Sequence, residues 1–391
     1  MRPSCNPSKF VGDKIKKLPP SGIRRFFDLV TELDDVVSLG VGEPDFATPW
    51  HIREMCIHSL EKGQTAYTSN YGLPELRDVL SRTYYNRYGL DYNPASEILV
   101  TTGVSEALDL AIRATVNPGE EVVVAQPSYV AYLPAVLLAG GVPVPVSASA
   151  ETEFKLTPEA LEPALSEKTK AIVLNYPNNP TGAIMGRKDL EAIADLVIEH
   201  DLIVISDEVY ECLTYEGKHV PTASLEGLKE RTLMLNGFSK AYAMTGLRLG
   251  FAMGPSEIIH AMMLIHQYTM LCAPVTAQIG AVEALRNGKE EMERMVRAYD
   301  RRRHFIMKGF DKIGLECFTP KGAFYTFPYI GAYGLSSSEF AEKLLNEKKV
   351  AAIPGDAFGE AGEGFLRCAY AASLEDLRKA LERIGEFVDG L

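Results

Sequence analysis

One lysine, Lys240, stands just past an apolar run in the stretch LNGFSKAYAMTGLRLG, with Ser239 before it and Arg248 eight residues on. A chain with 40 lysines and arginines carries most of them as solvated charge, so position must set this one apart. Other apolar runs also end in polar groups. EILVTTG ends at Gly103 with a helical pattern starting near Ser105, AIVLNYPNNP ends with Asn179, and LIVIS delivers Asp207 and Tyr210. Taken singly, an aspartate after a strand is ordinarily a cap or a turn, and Asn-Pro a turn. Together they describe one pocket, because ligands of open parallel sheets bind beyond the carboxyl ends of the strands. A glycine followed by a helix N-terminus offers free N–H groups and a positive dipole end to a phosphate. A lysine can form an imine with an aldehyde, and an ionised Asp207 can keep a pyridine nitrogen protonated so that the ring acts as an electron sink. These are the requirements of pyridoxal 5'-phosphate chemistry.

The elements that would position such a set follow from the hydrophobic pattern. EILVTTG, EVVVAQP, AIVLNYPNNPTG, LIVISDEVY and RTLMLNGFSK alternate with amphipathic stretches such as SEALDLAIRATV and RKDLEAIADLVIEH. Strand-helix repetition predicts an α/β fold, a mostly parallel central sheet covered by helices on both faces. After about residue 291 the pattern changes to short strand candidates in GAFYTFPYI, VAAIPGDAFG and GFLRCAYA, which predicts a smaller α+β domain. The expected organisation is an N-terminal arm and small-domain segment (1–45), a large domain (46–290) and a small C-terminal domain (291–391). The last helix, SLEDLRKALERIGEFV, is expected to open with Ser373 and Asp376 as a capping box and to bury Leu374, Leu377, Leu381 and Ile384.

Composition narrows the partners. Hydrophobic residues at 46% and charged residues at 24% are ordinary for a globular chain, and 391 residues are enough for more than one core. Forty basic against 52 acidic residues leave a net charge of −12 with no dense basic stripe, which argues against nucleic acid and anionic membranes. Six cysteines without C-x-x-C spacing fit a reducing cytoplasm, and no segment reads as a signal peptide or a membrane span. The expectation is a cytoplasmic protein.

Four motifs occur in order along the chain: GEPDF, YPNNPTG, SDEVY, and SK followed by an arginine eight residues after the lysine. In these the sequence resembles the class I/II pyridoxal-phosphate-dependent aminotransferases of the aspartate aminotransferase fold, in the prokaryotic aspartate, aromatic and N-acetyl-diaminopimelate branch. The resemblance implies that Lys240 binds the cofactor aldehyde and serves as the base, that Asp207 stays ionised against the ring nitrogen, and that Tyr210 and Asn179 hydrogen-bond the ring oxygen. It places Tyr129 on the ring face and gives the phosphate to Gly103, Val104, Ser105, Ser239 and Arg248, with Tyr67 reaching across a homodimer interface. Arg367, in GFLRCAY, would clamp the substrate α-carboxylate, with Gly42, Asn179 and Ser21 nearby.

The implied reaction moves an amino group from an L-amino acid to a 2-oxo acid, with glutamate and 2-oxoglutarate as one pair, in a ping-pong cycle without a metal. A C–S β-lyase on the same fold and a non-catalytic regulator domain are the alternatives. Departures bear on specificity: Leu247 stands where many relatives have tryptophan, Ser105 where some dicarboxylate-specific relatives have lysine, and HQYTMLCAPV holds no arginine. A neutral or broad side-chain preference follows as an expectation.

Overall fold

A computed structural model describes residues 6–16, 18 and 35–391. Seven strands form the main sheet in the order β2-β8-β7-β6-β5-β3-β4. They are β2 (Ile98–Thr101), β3 (Glu121–Gln126), β4 (Val142–Ser147), β5 (Thr169–Asn175), β6 (Ile203–Asp207), β7 (Thr232–Gly237) and β8 (Gly250–Met253). Their neighbours run parallel except at β8, which pairs antiparallel with both β2 and β7. Every residue of β7 is buried, as are four of the five in β6. This is the burial of strands covered on both faces, and it explains why TLMLN and IVIS read as continuous apolar runs rather than alternating ones.

β4 was hidden from sequence reasoning by Pro143 and Pro145. It is an edge strand paired only with β3. Val142 N–H donates to the Glu120 carbonyl at 2.8 Å and Ala148 N–H to that of Gln126 at 2.7 Å. With a period of two, the prolines therefore fall on the open side of the strand, where no N–H is needed.

A second sheet has the order β11-β12-β9, formed antiparallel by β9 (Tyr325–Thr326), β11 (Ile353–Pro354) and β12 (Leu366–Ala369). Beside it β1 (Val37–Ser38) pairs parallel with β10 (Val350–Ala351), so a segment from before the main sheet joins elements that follow it. The 25-residue helix Lys289–Ile313 buries Met292, Met295, Tyr299, Arg303, Ile306 and Phe310, a stripe at helical spacing. The final helix, Leu374–Val388, buries Leu377, Leu381 and Ile384 as expected. Leu374 is 47% exposed, contrary to expectation, because the first helical position turns to solvent. The cap is half of the expected box: Ser373 Oγ accepts from Asp376 N–H, while the Asp376 carboxylate accepts from the Ser373 hydroxyl and not from its backbone.

Candidate active site

The register of the sheet brings the polar strand ends into a row. Asn175 pairs with Asp207, Asp207 with Leu235, Gly237 with Gly250, and Gly250 with Thr101. β2, β5, β6 and β7 share one direction, so their carboxyl ends open on the same edge, where a cavity of about 600 Å³ lies. That volume is within the range of small-molecule sites.

The turn after β2 shows how local sequence builds one part of this cavity. Gly103 has φ 82° and caps the helix Val104–Thr115, a conformation that favours glycine. A Cβ there would meet Arg248 Nη2 at 2.7 Å, and one on Gly250 would meet Gly103 C and Val104 N at 2.6 Å. Two glycines thus let the helix N-terminus, the arginine fork and β8 close on one point. Val104, Ser105, Ser239 and Arg248 line the cavity; Gly103 does not line it but lies against the Arg248 guanidinium. Unpaired N–H groups of a first helical turn, a hydroxyl and a guanidinium make an anion cradle that fits a phosphate.

Asp207 is buried at the end of β6. Its Oδ2 accepts the Tyr132 hydroxyl at 2.8 Å and its Oδ1 the Val209 N–H at 3.2 Å. Asn175 Nδ2 donates to the Asp207 carbonyl, and Asn175 Oδ1 accepts Asn179 N–H, each at 3.0 Å. Burial pushes the Asp207 carboxyl up to about 6, against the pull of the Tyr132 and Val209 bonds. The expected ionised state at Asp207 was tied to a facing ring nitrogen, and a positive charge there would oppose the effect of burial. Directly behind it, Glu208 accepts from Ser206 Oγ, Thr222 N–H and His219 Nε2, and Glu211 accepts from Arg87 and the Tyr88 hydroxyl. Glu208, Glu211 and His219 have the proximity of metal ligands, but these carboxylates already have protein donors. Burial opposes a charged His219, and the Glu208 carboxylate outweighs it, raising the imidazole above its ordinary range.

Lys240 Nζ donates to the Gly42 carbonyl at 2.7 Å. Burial lowers its amine to about 8, with Arg367 and Arg248 acting in the same direction and Glu43 opposing. The unprotonated, nucleophilic form is thus far more populated near neutral pH than on an ordinary lysine, although the ammonium still predominates there. Arg367, on β12, is buried; it donates to Asn179 Oδ1 at 3.0 Å and to the Gly40 carbonyl at 2.6 Å, while its Nε has no protein partner. Tyr210 lies with its hydroxyl 2.8 Å from that of Tyr325. Tyr129 and Gly42 also line the cavity. Tyr67 does not line it and is 82% exposed. Ser21, with Arg24 and Arg25, lies outside the described residues. Sequence reasoning missed Tyr132, Tyr325, Asn175 and Glu43. Tyr132, three residues after Tyr129, could have been found from that spacing once the helix beginning there was recognised.

The shift at Asp207 fixes a sign. Its folded value lies above its ordinary 3.8, so the folded chain holds a proton that the unfolded chain has released, and stability declines as pH rises between about 4 and 6. In cofactor-free protein, Asp207→Asn is expected to gain stability over wild type as pH rises, reaching on the order of 2–3 kcal/mol above about pH 7. Thermal unfolding of both proteins across that range checks it; a difference that does not grow with pH contradicts it.

A family model described as aminotransferase class I and II matches residues 34–384. The chain is 51% identical over 381 residues to a putative aminotransferase of Bacillus subtilis, covering 97% of this chain and 99% of the relative. It is 46% identical over 377 residues to an aspartate aminotransferase of Pyrococcus abyssi, covering 96% and 97%. A crystal structure of an aromatic aminotransferase from Pyrococcus horikoshii superposes with a TM-score of 0.90 at 45% identity, covering 93% of this chain and 99% of that one. The chain belongs to the class I and II aminotransferases, pyridoxal-phosphate-dependent enzymes of the aspartate aminotransferase fold that act on amino acids and oxo acids.

Proposed function

We propose that this aminotransferase works through the cavity at the sheet's carboxyl edge, with Lys240 as the catalytic lysine. The observation that carries the reading is the meeting of one partly buried lysine, Lys240, with one buried carboxylate, Asp207, and one buried arginine, Arg367, around a single cavity. When bound, pyridoxal phosphate supplies an electron sink for the bonds at the substrate α-carbon. Lys240 anchors the cofactor and then carries the α-proton on Nζ, a task suited to an amine near 8. Asp207 takes its charge from a facing ring nitrogen, while Tyr210 and Asn179 offer donors to the ring oxygen. Tyr129 packs on the ring, and Gly103, Val104, Ser105, Ser239 and Arg248 hold the phosphate. Arg367, beside Gly42 and Asn179, receives the α-carboxylate and aligns the substrate; Ser21 is assigned to the same end by resemblance alone. The same residues serve both halves of a ping-pong cycle.

Domain limits of 46–290 and 291–391, with an arm over 1–45, are part of this reading, as is a cytoplasmic location. Among the described residues no helix is long and apolar enough to cross a membrane. We also propose a homodimer in which Tyr67 completes the partner's phosphate site; its exposure leaves it free to do so.

Substrate choice follows from charge. Among the described residues lining the cavity the cations are Lys240, Arg248 and Arg367, and each already has a role. A second substrate carboxylate would be desolvated without a partner, at a cost of several kcal/mol. A neutral, aromatic or aliphatic side chain is therefore favoured over aspartate, with glutamate and 2-oxoglutarate accepted as the second pair. The related proteins include both aspartate and aromatic aminotransferases by name, so the assay decides.

Borohydride reduction of the holoenzyme followed by peptide mapping is expected to label Lys240, and Lys240→Ala to abolish turnover while still binding cofactor; label on another lysine refutes the assignment. Refolding Tyr67→Ala and Lys240→Ala chains together should restore about one active site in four, because only a mixed dimer contains a site free of both lesions. No gain over the separate variants would remove Tyr67 from the partner's site. Wild type should prefer phenylalanine or leucine to aspartate in kcat/KM, and Ser105→Lys should shift the ratio toward aspartate by about tenfold, or about 1.4 kcal/mol. A wild type already favouring aspartate by about a hundredfold contradicts the charge argument.

A further inference from the structure

Tyr325 is given no part in the reading above, yet it touches three groups that reading uses. Its hydroxyl is 2.8 Å from that of Tyr210. Its ring lies 4.6 Å from the Arg367 guanidinium carbon, on the face a cation prefers. A Cβ on Gly42 would fall 2.6 Å from its hydroxyl oxygen, so the loop that accepts the Lys240 amine rests on it. The residue is buried on β9, and β12, which carries Arg367, is the neighbouring strand, with Ala369 opposite Tyr325.

Volume alone does not call for a phenol here. Phe324 and Phe327 fill the adjoining core without one, and a buried hydroxyl has a cost unless it is hydrogen-bonded. Its bond goes to Tyr210, whose other charged or titratable neighbours include Arg367 from β12, Asp207 from β6 and Tyr132. If Tyr210 points its own proton into the cavity, its oxygen is left to accept the proton of Tyr325. Linked hydrogen bonds polarise one another, so the outer donor is strengthened by the inner one.

We propose that Tyr325 is a positioning residue with two separable halves: its hydroxyl orients Tyr210 and strengthens it as a donor to the cofactor ring oxygen, and its ring seats Arg367 for the substrate carboxylate. The inference rests on the reading that Tyr210 faces the cofactor. The hydroxyl half is read from the pH midpoint of the visible absorbance of the holoenzyme, which reports the ring oxygen's surroundings. Tyr325→Phe is expected to move that midpoint up by about half a pH unit, with KM for the amino acid changed by less than about twofold and kcat reduced. Tyr325→Leu also removes the ring and is expected to raise KM roughly threefold or more. In a Tyr210→Phe background, Tyr325→Phe should cause no further shift, since the hydroxyl acts through Tyr210.

The outcomes separate the two ideas. If Tyr210→Phe leaves the midpoint where it was, the placement of the cofactor beside Tyr210 falls. If Tyr210→Phe moves it while Tyr325→Phe does not, or if the two shifts add in the double variant, the hydroxyl half is overturned and the cofactor placement stands. An unchanged KM in Tyr325→Leu overturns the ring half. Tyr325→Phe preserves the ring packing, so the hydroxyl half stays testable even if the leucine variant fails to fold.

Discussion

A cleft of this kind depends on where strands stop. β5 and β6 end in register with Asn175 opposite Asp207; Asn175 closes the buried run Ala171 to Leu174, and Asp207 follows Ser206 at the end of a strand buried from Val204 onward. Side chains alternate across a strand, so lengthening β6 by one residue would turn Asp207 to the opposite face. The apolar runs are therefore more than filling. Their length and parity decide which polar atom emerges at the edge, and the helices on both faces hold that choice by burying everything before it.

Burial also sets the chemistry. Arg367 and Asp207 are taken out of water and Lys240 largely so, and a charge so placed is tolerated only with partners. Asp207 has Tyr132 and Val209, and Arg367 has Asn179 and the Gly40 carbonyl. Lys240 has a single carbonyl, that of Gly42, and its amine moves toward neutrality, which is the form a nucleophile needs. Asp207 is displaced the other way, toward its protonated form. Burial therefore disfavours the charged form of each, and a cationic ring beside Asp207 would offset that cost for the carboxylate.

Much of this was legible in the residue order, and the reasons differ from place to place. A polar residue closing an apolar run is conspicuous, so Asn179, Asp207, Ser239 and Lys240 stood out, and the alternation of strands and helices predicted the parallel sheet. β8 was not separated from its surroundings, because GFAM is too short to show a period and nothing in it betrays an antiparallel direction. β4 was obscured because proline argues against a strand unless the strand is known to lie at an edge. Tyr132 and Tyr325 escaped because a tyrosine within an apolar stretch, as in VAYLPAVLL or GAFYTFP, reads as core. Only the position of its oxygen reveals another use, and that depends on contacts 75 and 115 residues away in the chain. Arg367 was found through resemblance, since an arginine in a short strand carries no mark of burial.

The placement of β8 reaches beyond stability. It lies between β2, which leads into the Gly103 turn, and β7, which leads to Lys240, so two strand spacings, about 10 Å, separate the approaches to the anion cradle and the lysine. Backbone hydrogen bonds set that interval and are indifferent to side-chain identity. The sheet thus acts as a ruler, and drift in its side chains leaves the measurement intact. Arg367 and Tyr325, by contrast, come from short strands of a separate sheet. Variation accumulating there can alter which molecule is held without recalibrating the distance over which the reaction takes place, which offers a physical reason for one framework to serve relatives named for such different amino acids.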